Sequence, residues 1–186
     1  MMDTVLERAD RVVLDGHDRI RNMQVVTDSE FELSKALATF AGDLSSDGAI
    51  SFRLVVEGAE RTLEPNVREC FYLIGKEAIT NAFRHAKASH IEVEVNLGDE
   101  WLRLRVRDDG VGIDSHIVED ESAPDHHGLV AMRERTLQIG AELAVWGRDG
   151  LGTEVELMVR AVFAYEAGRK SFRSKLRRLI DGGRYK

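Results

Sequence analysis

The sequence contains, within a long segment of helical periodicity, the run Glu77-Ala-Ile-Thr-Asn81-Ala-Phe-Arg84-His85-Ala86. An α-helix turns every 3.6 residues, so the side chains of Glu77, Asn81 and either Arg84 or His85 share one face. That face carries an acid, an amide and a cation in a row, beside a separate apolar stripe. The order suits a site for a hydrated metal ion and phosphates. Taken alone, these residues fit an exposed polar helix face better, so a site depends on the motifs that follow.

The neighbouring elements are predicted from the spacing of apolar residues. The helix itself is expected over residues 65–86, with Pro65 in the first turn, where its missing N–H is tolerated. Alternating apolar and polar residues predict strands, and a 3.6-residue period predicts further helices. The predicted strands are residues 50–56, 91–97, 101–106, 143–146 and 153–159, and the further helices are residues 3–26, a segment capped near Asp28 that runs over Phe40, and residues 128–139.

This order of elements predicts the fold class. Strands joined in pairs by short turns, such as residues 98–100, imply a mixed, mostly antiparallel sheet. The helices would then cover one face of that sheet. We therefore expect an α/β two-layer sandwich preceded by an N-terminal helix.

Composition limits the possible classes of function. The chain has 186 residues, 43% of them hydrophobic, which suffices for one domain with a buried core, and its net charge is −7. An acidic protein is a poor general nucleic-acid binder, because such binding needs Lys and Arg over a broad face. Residues 161–186 differ, with eight Lys or Arg against two Asp or Glu. Within this basic tail, the segment 172–180 places Phe172, Leu176, Leu179 and Ile180 on one helical side. That segment suits a membrane surface or a partner, although a solvated helix or a disordered end explains it more simply.

Cysteine usage and hydropathy indicate a compartment. Cys70 is the single cysteine and lies in the apolar part of a helix, so an internal disulfide is excluded and a reducing compartment is favoured. We find neither a signal peptide nor an apolar run of about 20 residues. A cytoplasmic location is expected, with any membrane anchor of the full-length protein in segments upstream of this chain.

Three glycine-containing motifs accompany the central helix. The run Asp108-Asp109-Gly110-Val111-Gly112-Ile113 follows a predicted strand, where a buried Asp can accept a hydrogen bond from an exocyclic amine such as that of adenine. Gly128-Leu129 stands at a helix start, whose free N–H groups suit phosphates. The third motif is Gly150-Leu151-Gly152-Thr153. Each alone is also explained by ordinary structure, namely a tight turn, a helix start and a hairpin.

Other chemistries are disfavoured. The histidines His116, His126 and His127 lack a neighbouring cysteine and a fixed ligand spacing, so we predict no zinc site. The sequence also lacks a glycine-rich loop ending in Lys-Ser/Thr and a His-Arg-Asp catalytic loop, which disfavours other phosphoryl-transfer folds.

In this fixed order, the motifs resemble the catalytic and ATP-binding domain of two-component sensor histidine kinases, within the GHKL ATPase superfamily. Residues 77–85 resemble its N box, residues 108–112 its G1 box, Gly128-Leu129 its G2 box, and residues 150–153 the segment that closes the pocket. Two runs are similar to the subgroup whose short lid has no separate phenylalanine box, namely Asn81-Ala-Phe-Arg-His-Ala-Lys-Ala88 and Gly128-Leu-Val-Ala-Met-Arg-Glu-Arg135. The resemblance covers residues 30–160 and implies a Bergerat-type ATP-binding fold.

The resemblance also implies a role for each matched residue. Asn81 would bind Mg²⁺ together with the ATP phosphates, and Glu77 would polarise the reacting histidine or accept its proton. Asp108 would read the adenine base. The other residues implied to bind ATP are Gly112, which would line the base, Gly110 and Ile113 on the same turn, Arg84 and His85 at the phosphates, Gly128 and Leu129 at the end of the lid, and Thr153 near Asp108.

Finally, the resemblance implies a division of the chain into residues 1–26, the C-terminal part of a dimerisation-hairpin helix, residues 27–160, the catalytic domain, and the basic tail 161–186. Histidine kinases of this type phosphorylate a histidine on a two-helix hairpin, which dimerises and passes the phosphoryl group to a response regulator. Such a hairpin needs on the order of 60 residues. His17 is therefore not expected to be the acceptor, because the 59 residues between it and Glu77 must also hold a helix and a strand.

We consequently expect the acceptor histidine upstream, in a protein that forms a homodimer, and a chain that binds ATP without autophosphorylating alone. Two alternatives remain. A serine kinase that controls a sigma factor shares the pocket but needs no helical hairpin, and the charged helix expected at residues 3–26 disfavours it. A non-catalytic nucleotide-binding module is disfavoured because all matched residues, including Glu77, are present.

Overall fold

The helix that carries Glu77 and Asn81 packs its apolar stripe against a five-stranded sheet. A computed structural model of the chain describes residues 33–44, 50–59, 61–113, 127–147, 150–166 and 168. The helices are α1 (Leu33–Leu44), α2 (Pro65–His85), α3 (His127–Ile139) and α4 (Ala161–Ala164), and the strands are β1 (Ser51–Gly58), β2 (His90–Leu97), β3 (Trp101–Asp108), β4 (Glu142–Gly147) and β5 (Thr153–Arg160).

The strands lie in the order β1-β2-β3-β5-β4, with β1 and β2 parallel and the other neighbours antiparallel. The parallel pair arises because α2 crosses over between β1 and β2. The predicted two-layer sandwich with a mixed, mostly antiparallel sheet is confirmed.

The two faces of the sheet differ because side chains alternate along each strand. On one face, Ile91, Val93 and Leu104 are buried in a core shared with the helices. On the other face, ion pairs join neighbouring strands, among them Arg53–Glu92, Arg105–Glu94 and Arg107–Glu154. A pair near the surface contributes at most about 1 kcal/mol, whereas burial of one large apolar side chain contributes about 1.5–3 kcal/mol. Packing on the helix side therefore contributes most to stability.

The bounds of α2 have identifiable causes. The carboxylate of Glu64 accepts hydrogen bonds from the backbone N–H groups of Asn66 at 3.0 Å and Val67 at 3.3 Å. It thereby satisfies two of the N–H groups that a helix start leaves unpaired. At the other end, Ala86 is the last residue with right-handed helical geometry, and Lys87 has a φ of 52°. The helix predicted over residues 65–86 is confirmed, whereas the capping of its start by Glu64 was not predicted from the sequence.

Cys70 lies between two helices. It is buried on α2, and its thiol donates a hydrogen bond to the carbonyl oxygen of Arg135 on α3 at 3.5 Å. Burial raises the pKa of this thiol to about 12. The group stays protonated at neutral pH and packs as a small apolar side chain.

Each observed strand extends one or two residues beyond its predicted bounds at one end or both, and β1 also begins one residue later than predicted. The clearest case is β3, which continues from Val106 to Asp108 because Asp108 pairs with Ile91 of β2. Such ends depend on pairing between strands, which alternation within one strand does not specify. The predicted helix over residues 3–26, the cap at Asp28 and most of the tail lie outside the described residues.

The first residues of the predicted tail pack into the core. Ala164 is fully buried, and Tyr165 forms a β-bridge with Leu63 and donates its hydroxyl proton to the carbonyl oxygen of Gly98 at 3.1 Å. The division of the chain into three parts stays a prediction. None of the described helices is both long and apolar enough to cross a membrane.

The cap of α2 predicts the effect of a substitution. Glu64→Ala removes the acceptor for two helix N–H groups, so we expect a loss of about 1 kcal/mol in the free energy of unfolding. Glu64→Gln keeps an acceptor oxygen and is expected to lose less. Urea denaturation of the three chains measures both effects, and equal losses for the two variants would show that the cap is not the cause.

Candidate functional site

The site begins at the carboxyl end of β3. Asp108 is buried there, with 7% of its surface exposed, and its Oδ1 atom accepts two backbone hydrogen bonds. One comes from the N–H of Gly110 at 2.9 Å and the other from the N–H of Thr153 at 3.3 Å. Within the described residues, the second oxygen, Oδ2, makes no hydrogen bond. Asp108 thus joins the turn after β3 to the start of β5 and keeps one acceptor for a ligand.

The turn after β3, residues 109–113, packs against the end of α2. The N–H of Val111 donates a hydrogen bond to the carbonyl oxygen of Ala86 at 2.7 Å. A Cβ atom on Gly110 would lie 2.1 Å from that same oxygen, so only glycine fits this position. The first two predicted motifs therefore touch each other, since Ala86 directly follows His85.

The turn between β4 and β5 closes over the same segment. Gly152 has a φ of 82°, and a Cβ atom there would lie 2.0 Å from the carbonyl oxygen of Asp108. The N–H of Gly150 donates to the carbonyl oxygen of Val111 at 2.7 Å. Glycine at position 152 is thus required both by the left-handed backbone and by the close approach of β3.

The start of α3 lies against Glu77. A Cβ atom on Gly128 would lie 2.3 Å from Oε1 of Glu77, so the carboxylate stands directly beside the first turn of α3. A helix start carries a partial positive charge, which makes a carboxylate favourable there. Glu77, Asn81 and Leu129 are all half-buried. This contact brings the third predicted motif to the central helix.

Three of the predicted residues are placed only by their helix. Asn81 is half-buried, whereas Arg84 and His85 are exposed. The side chains of all three make no hydrogen bond or ion pair within the described residues. Asn81 precedes Ala86 by five residues, which is about 8 Å along the axis of α2. Asn81 therefore offers an amide oxygen to a ligand at this distance from the Gly110 turn.

Two positioning contacts were missed at the level of sequence. Asp109 accepts hydrogen bonds at Oδ1 from the backbone N–H groups of Ser89 at 2.7 Å and His90 at 2.8 Å. Its pKa is lowered to about 2, first by the backbone hydrogen bond from His90 and then by the His90 side chain. Gly147, at the end of β4, leaves room for Ile113, whose Cγ2 atom would lie 2.4 Å from an added Cβ. The run Asp108-Asp109-Gly110 indicated a turn, but it did not indicate which segment of the chain that turn contacts.

Two further observations limit what the site can hold and where it can lie. Among the described residues, no group of three or more His, Cys, Asp or Glu side chains is arranged to hold a metal ion, and His116 and His126 lie outside them. A shallow depression of about 290 Å³ lies at the opposite end of the sheet, by the turn between β2 and β3. It includes none of the predicted site residues.

Comparison with known proteins extends these observations. A family profile described as "Histidine kinase-, DNA gyrase B-, and HSP90-like ATPase" matches residues 67–162, slightly more than half of the chain. The sensor histidine kinase LiaS of Bacillus subtilis is 34% identical over 109 residues, which are 59% of this chain and 29% of that protein. The sensor protein VraS of Staphylococcus saprophyticus is 30% identical over 108 residues, which are 58% of this chain and 30% of that protein.

Solved structures support the fold. The histidine kinase domain of the Erythrobacter litoralis EL346 blue-light activated histidine kinase superposes with a TM-score of 0.61 at 23% identity, covering 76% of this chain and 72% of that domain. The mycobacterial sensor histidine kinase MprB gives a TM-score of 0.52 at 15% identity, covering 70% of this chain and 93% of that one. At these identities the likeness concerns the fold alone.

The packing around Asp108 predicts different costs for two glycine substitutions. Gly152→Ala and Gly150→Ala both place alanine at a positive φ, 82° and 72°, but only the first meets a backbone atom within 4 Å. We expect about 1 kcal/mol of destabilisation for Gly150→Ala from backbone strain and at least about 2 kcal/mol for Gly152→Ala, where β3 must move. Urea denaturation compares them, and equal losses would contradict the close approach of Gly152 to Asp108.

Proposed function

The chain belongs to the histidine kinase-, DNA gyrase B- and HSP90-like ATPase family, and from this we propose that it is the ATP-binding catalytic part of a sensor histidine kinase. The chain spans about 30% of the length of the curated relatives it matches, so the activity of the whole protein is part of this proposal. The observation that carries it is the set of contacts Glu77–Gly128, Ala86–Gly110 and Asp108–Gly152. They bring all four motifs to one end of the sheet.

Asp108 is proposed to read the adenine base. Its Oδ1 atom is held by the N–H groups of Gly110 and Thr153, which fixes the direction of Oδ2. A carboxylate oxygen fixed in this way can accept a hydrogen bond from the exocyclic amine without reorganisation. Gly112 and Ile113 would line the base, because they follow on the same turn.

The phosphates are proposed to lie along α2 toward the start of α3. Mg²⁺ prefers oxygen ligands and takes few of them from protein, so the amide oxygen of Asn81, which makes no hydrogen bond within the described residues, fits this ion together with phosphate oxygens and water. When bound, the ion would neutralise phosphate charge. Arg84 and His85 would supply further positive charge from the next turn. The N–H groups of Gly128 and Leu129 at the start of α3 would face the phosphates.

Glu77 is proposed to act at the phosphoryl-transfer step. A ring nitrogen of the acceptor histidine would form a bond to the γ-phosphorus as the bond from that phosphorus to its bridging oxygen breaks, releasing ADP. Glu77 would orient the histidine or take its ring proton. Its carboxylate lies one helical turn from Asn81, so the proton acceptor and the metal ligand face the same side of α2.

The remaining parts of the protein follow from this assignment. We place the acceptor histidine on a dimerisation hairpin upstream of the chain, with residues 1–26 as the end of its second helix, and not at His17. The phosphoryl group would then pass to a response regulator. The relatives named as sensor kinases favour this scheme over a serine kinase that controls a sigma factor and over a non-catalytic module. A cytoplasmic position, with any membrane anchor upstream, fits the same scheme.

Nucleotide binding tests the assignment of the base and metal ligands. Asp108→Asn keeps an acceptor for the N–H groups of Gly110 and Thr153 but presents an amide donor to the adenine amine. We expect ATP-analogue affinity to fall about 10- to 150-fold, from the loss of a hydrogen bond to a charged group. Asn81→Ala is expected to remove the gain in affinity that Mg²⁺ provides, with little effect in EDTA.

Isothermal titration calorimetry with a non-hydrolysable ATP analogue measures both effects. Asn96→Ala serves as a control, because the Asn96 side chain is hydrogen-bonded to Glu57 at the end of β2 that lies far from the site. Unchanged affinity for both Asp108→Asn and Asn81→Ala would refute the site.

Phosphoryl transfer tests Glu77. With a separately produced two-helix hairpin that bears a reactive histidine, the chain is expected to form acid-labile phosphohistidine from labelled ATP. Glu77→Gln should slow transfer about 10²- to 10⁴-fold while ATP affinity is retained, as expected for a proton-transfer group. Glu69→Gln, two turns earlier in α2, is the matched control. Normal transfer by Glu77→Gln would exclude this role.

A further inference from the structure

The connection between α2 and β2, residues 86–89, contains a strained position. Lys87 has a φ of 52° and is the one non-glycine residue with a positive φ in the described part of the chain. A left-handed backbone is unfavourable for lysine, so neighbouring contacts must hold this turn in place. The two N–H groups that follow it, on Ser89 and His90, both donate to the carboxylate of Asp109.

Asp109 joins this connection to the turn that follows β3. Besides the two bonds at Oδ1, its Oδ2 atom lies 2.8 Å from Nδ1 of His90, and its own N–H donates to the carbonyl oxygen of His90 at 3.2 Å. Two residues later, Val111 donates to Ala86. The end of α2 and the turn after Asp108 are thus fastened to each other at several points.

From this geometry we infer that Asp109 is a positioning residue, which sets the distance between Asp108 and the polar face of α2 that carries Asn81. The inference rests on the proposed function of the site. ATP must reach both ends at once, the base at Asp108 and the phosphates at Asn81. A shift of α2 by about 1 Å would move Asn81 but not Asp108. It would therefore weaken the Mg²⁺-dependent binding of the phosphates more than the binding of the base.

The exposure of Asp109 separates this role from general packing. Its side chain is 45% exposed, so its removal leaves no cavity in the core. His90 is more exposed still, with 72% of its side chain accessible. What Asp109 supplies is an acceptor oxygen at a fixed place for two backbone N–H groups.

The readout is the gain in ATP-analogue affinity on adding Mg²⁺, measured by calorimetry on the whole chain. Asp109→Ala is expected to reduce this gain at least about fivefold, because Asn81 is no longer held at its distance from Asp108. Asp109→Asn should keep most of the gain, since its Oδ1 atom can still accept from Ser89 and His90. His90→Ala should keep it as well, because it removes only the side-chain contact.

A double-mutant cycle with Asn81→Ala tests the route of the effect. If Asp109 acts by placing Asn81, the double variant Asn81→Ala/Asp109→Ala should show the same Mg²⁺ dependence as Asn81→Ala alone. If Asp109→Ala does not fold, the same measurement is made with Lys87→Gly added to it and to its reference, because glycine relieves the strain of the turn.

The outcomes distinguish this inference from the proposed function. A wild-type chain that does not bind the analogue contradicts the proposed function and the inference with it. A wild-type chain that binds, together with a folded Asp109→Ala variant that retains the full Mg²⁺ gain, contradicts the inference alone. An equal loss in Asp109→Asn would also contradict it, since charge and not acceptor geometry would then be responsible.

Discussion

The site depends on one oxygen atom, Oδ1 of Asp108, which accepts hydrogen bonds from both Gly110 and Thr153. These bonds hold together two segments that are more than forty residues apart in sequence. The carboxylate is buried at the end of β3, where a charge without a hydrogen-bond partner would be costly, and these bonds supply partners for it. Because the bonds use one oxygen, the other remains available to a ligand. A structural requirement and a binding requirement thus meet in the same side chain.

Around this carboxylate, close backbone contacts replace side-chain packing. Gly110 lies against the backbone of Ala86 and Gly152 against that of Asp108, each at a distance that excludes a Cβ atom, whereas Gly128 lies beside the side-chain carboxylate of Glu77. Helix α2 meanwhile divides its surface, with Phe71, Ile74 and Ala78 in the core and Glu77 and Asn81 at its edge. The stability of the fold therefore comes from one face of α2, while the other face is free to carry polar groups of little benefit to folding.

Much of this was accessible from sequence, for specific reasons. The 3.6-residue period located α2 and predicted the shared face of Glu77 and Asn81, and alternation located all five strands. The order β3-β5-β4, the extension of β3 to Asp108 and the contact of Glu77 with Gly128 were not accessible, because each depends on a partner distant in sequence. The same holds for Asp109, whose bonds to Ser89 and His90 cross from one turn to another. Residue spacing alone does not show that the four motifs meet at one end of the sheet. That meeting was expected from their resemblance to a known family.

The most direct test of a single converged site is a nuclear magnetic resonance titration of the labelled wild-type chain with a non-hydrolysable ATP analogue and Mg²⁺. The backbone amide signals of Asn81, Gly110, Gly128 and Thr153 should shift together with one dissociation constant, while that of Gly98 at the far end of the sheet stays unchanged. Shifts confined to one of these segments, or separate midpoints for α2 and the Gly110 turn, would contradict the account.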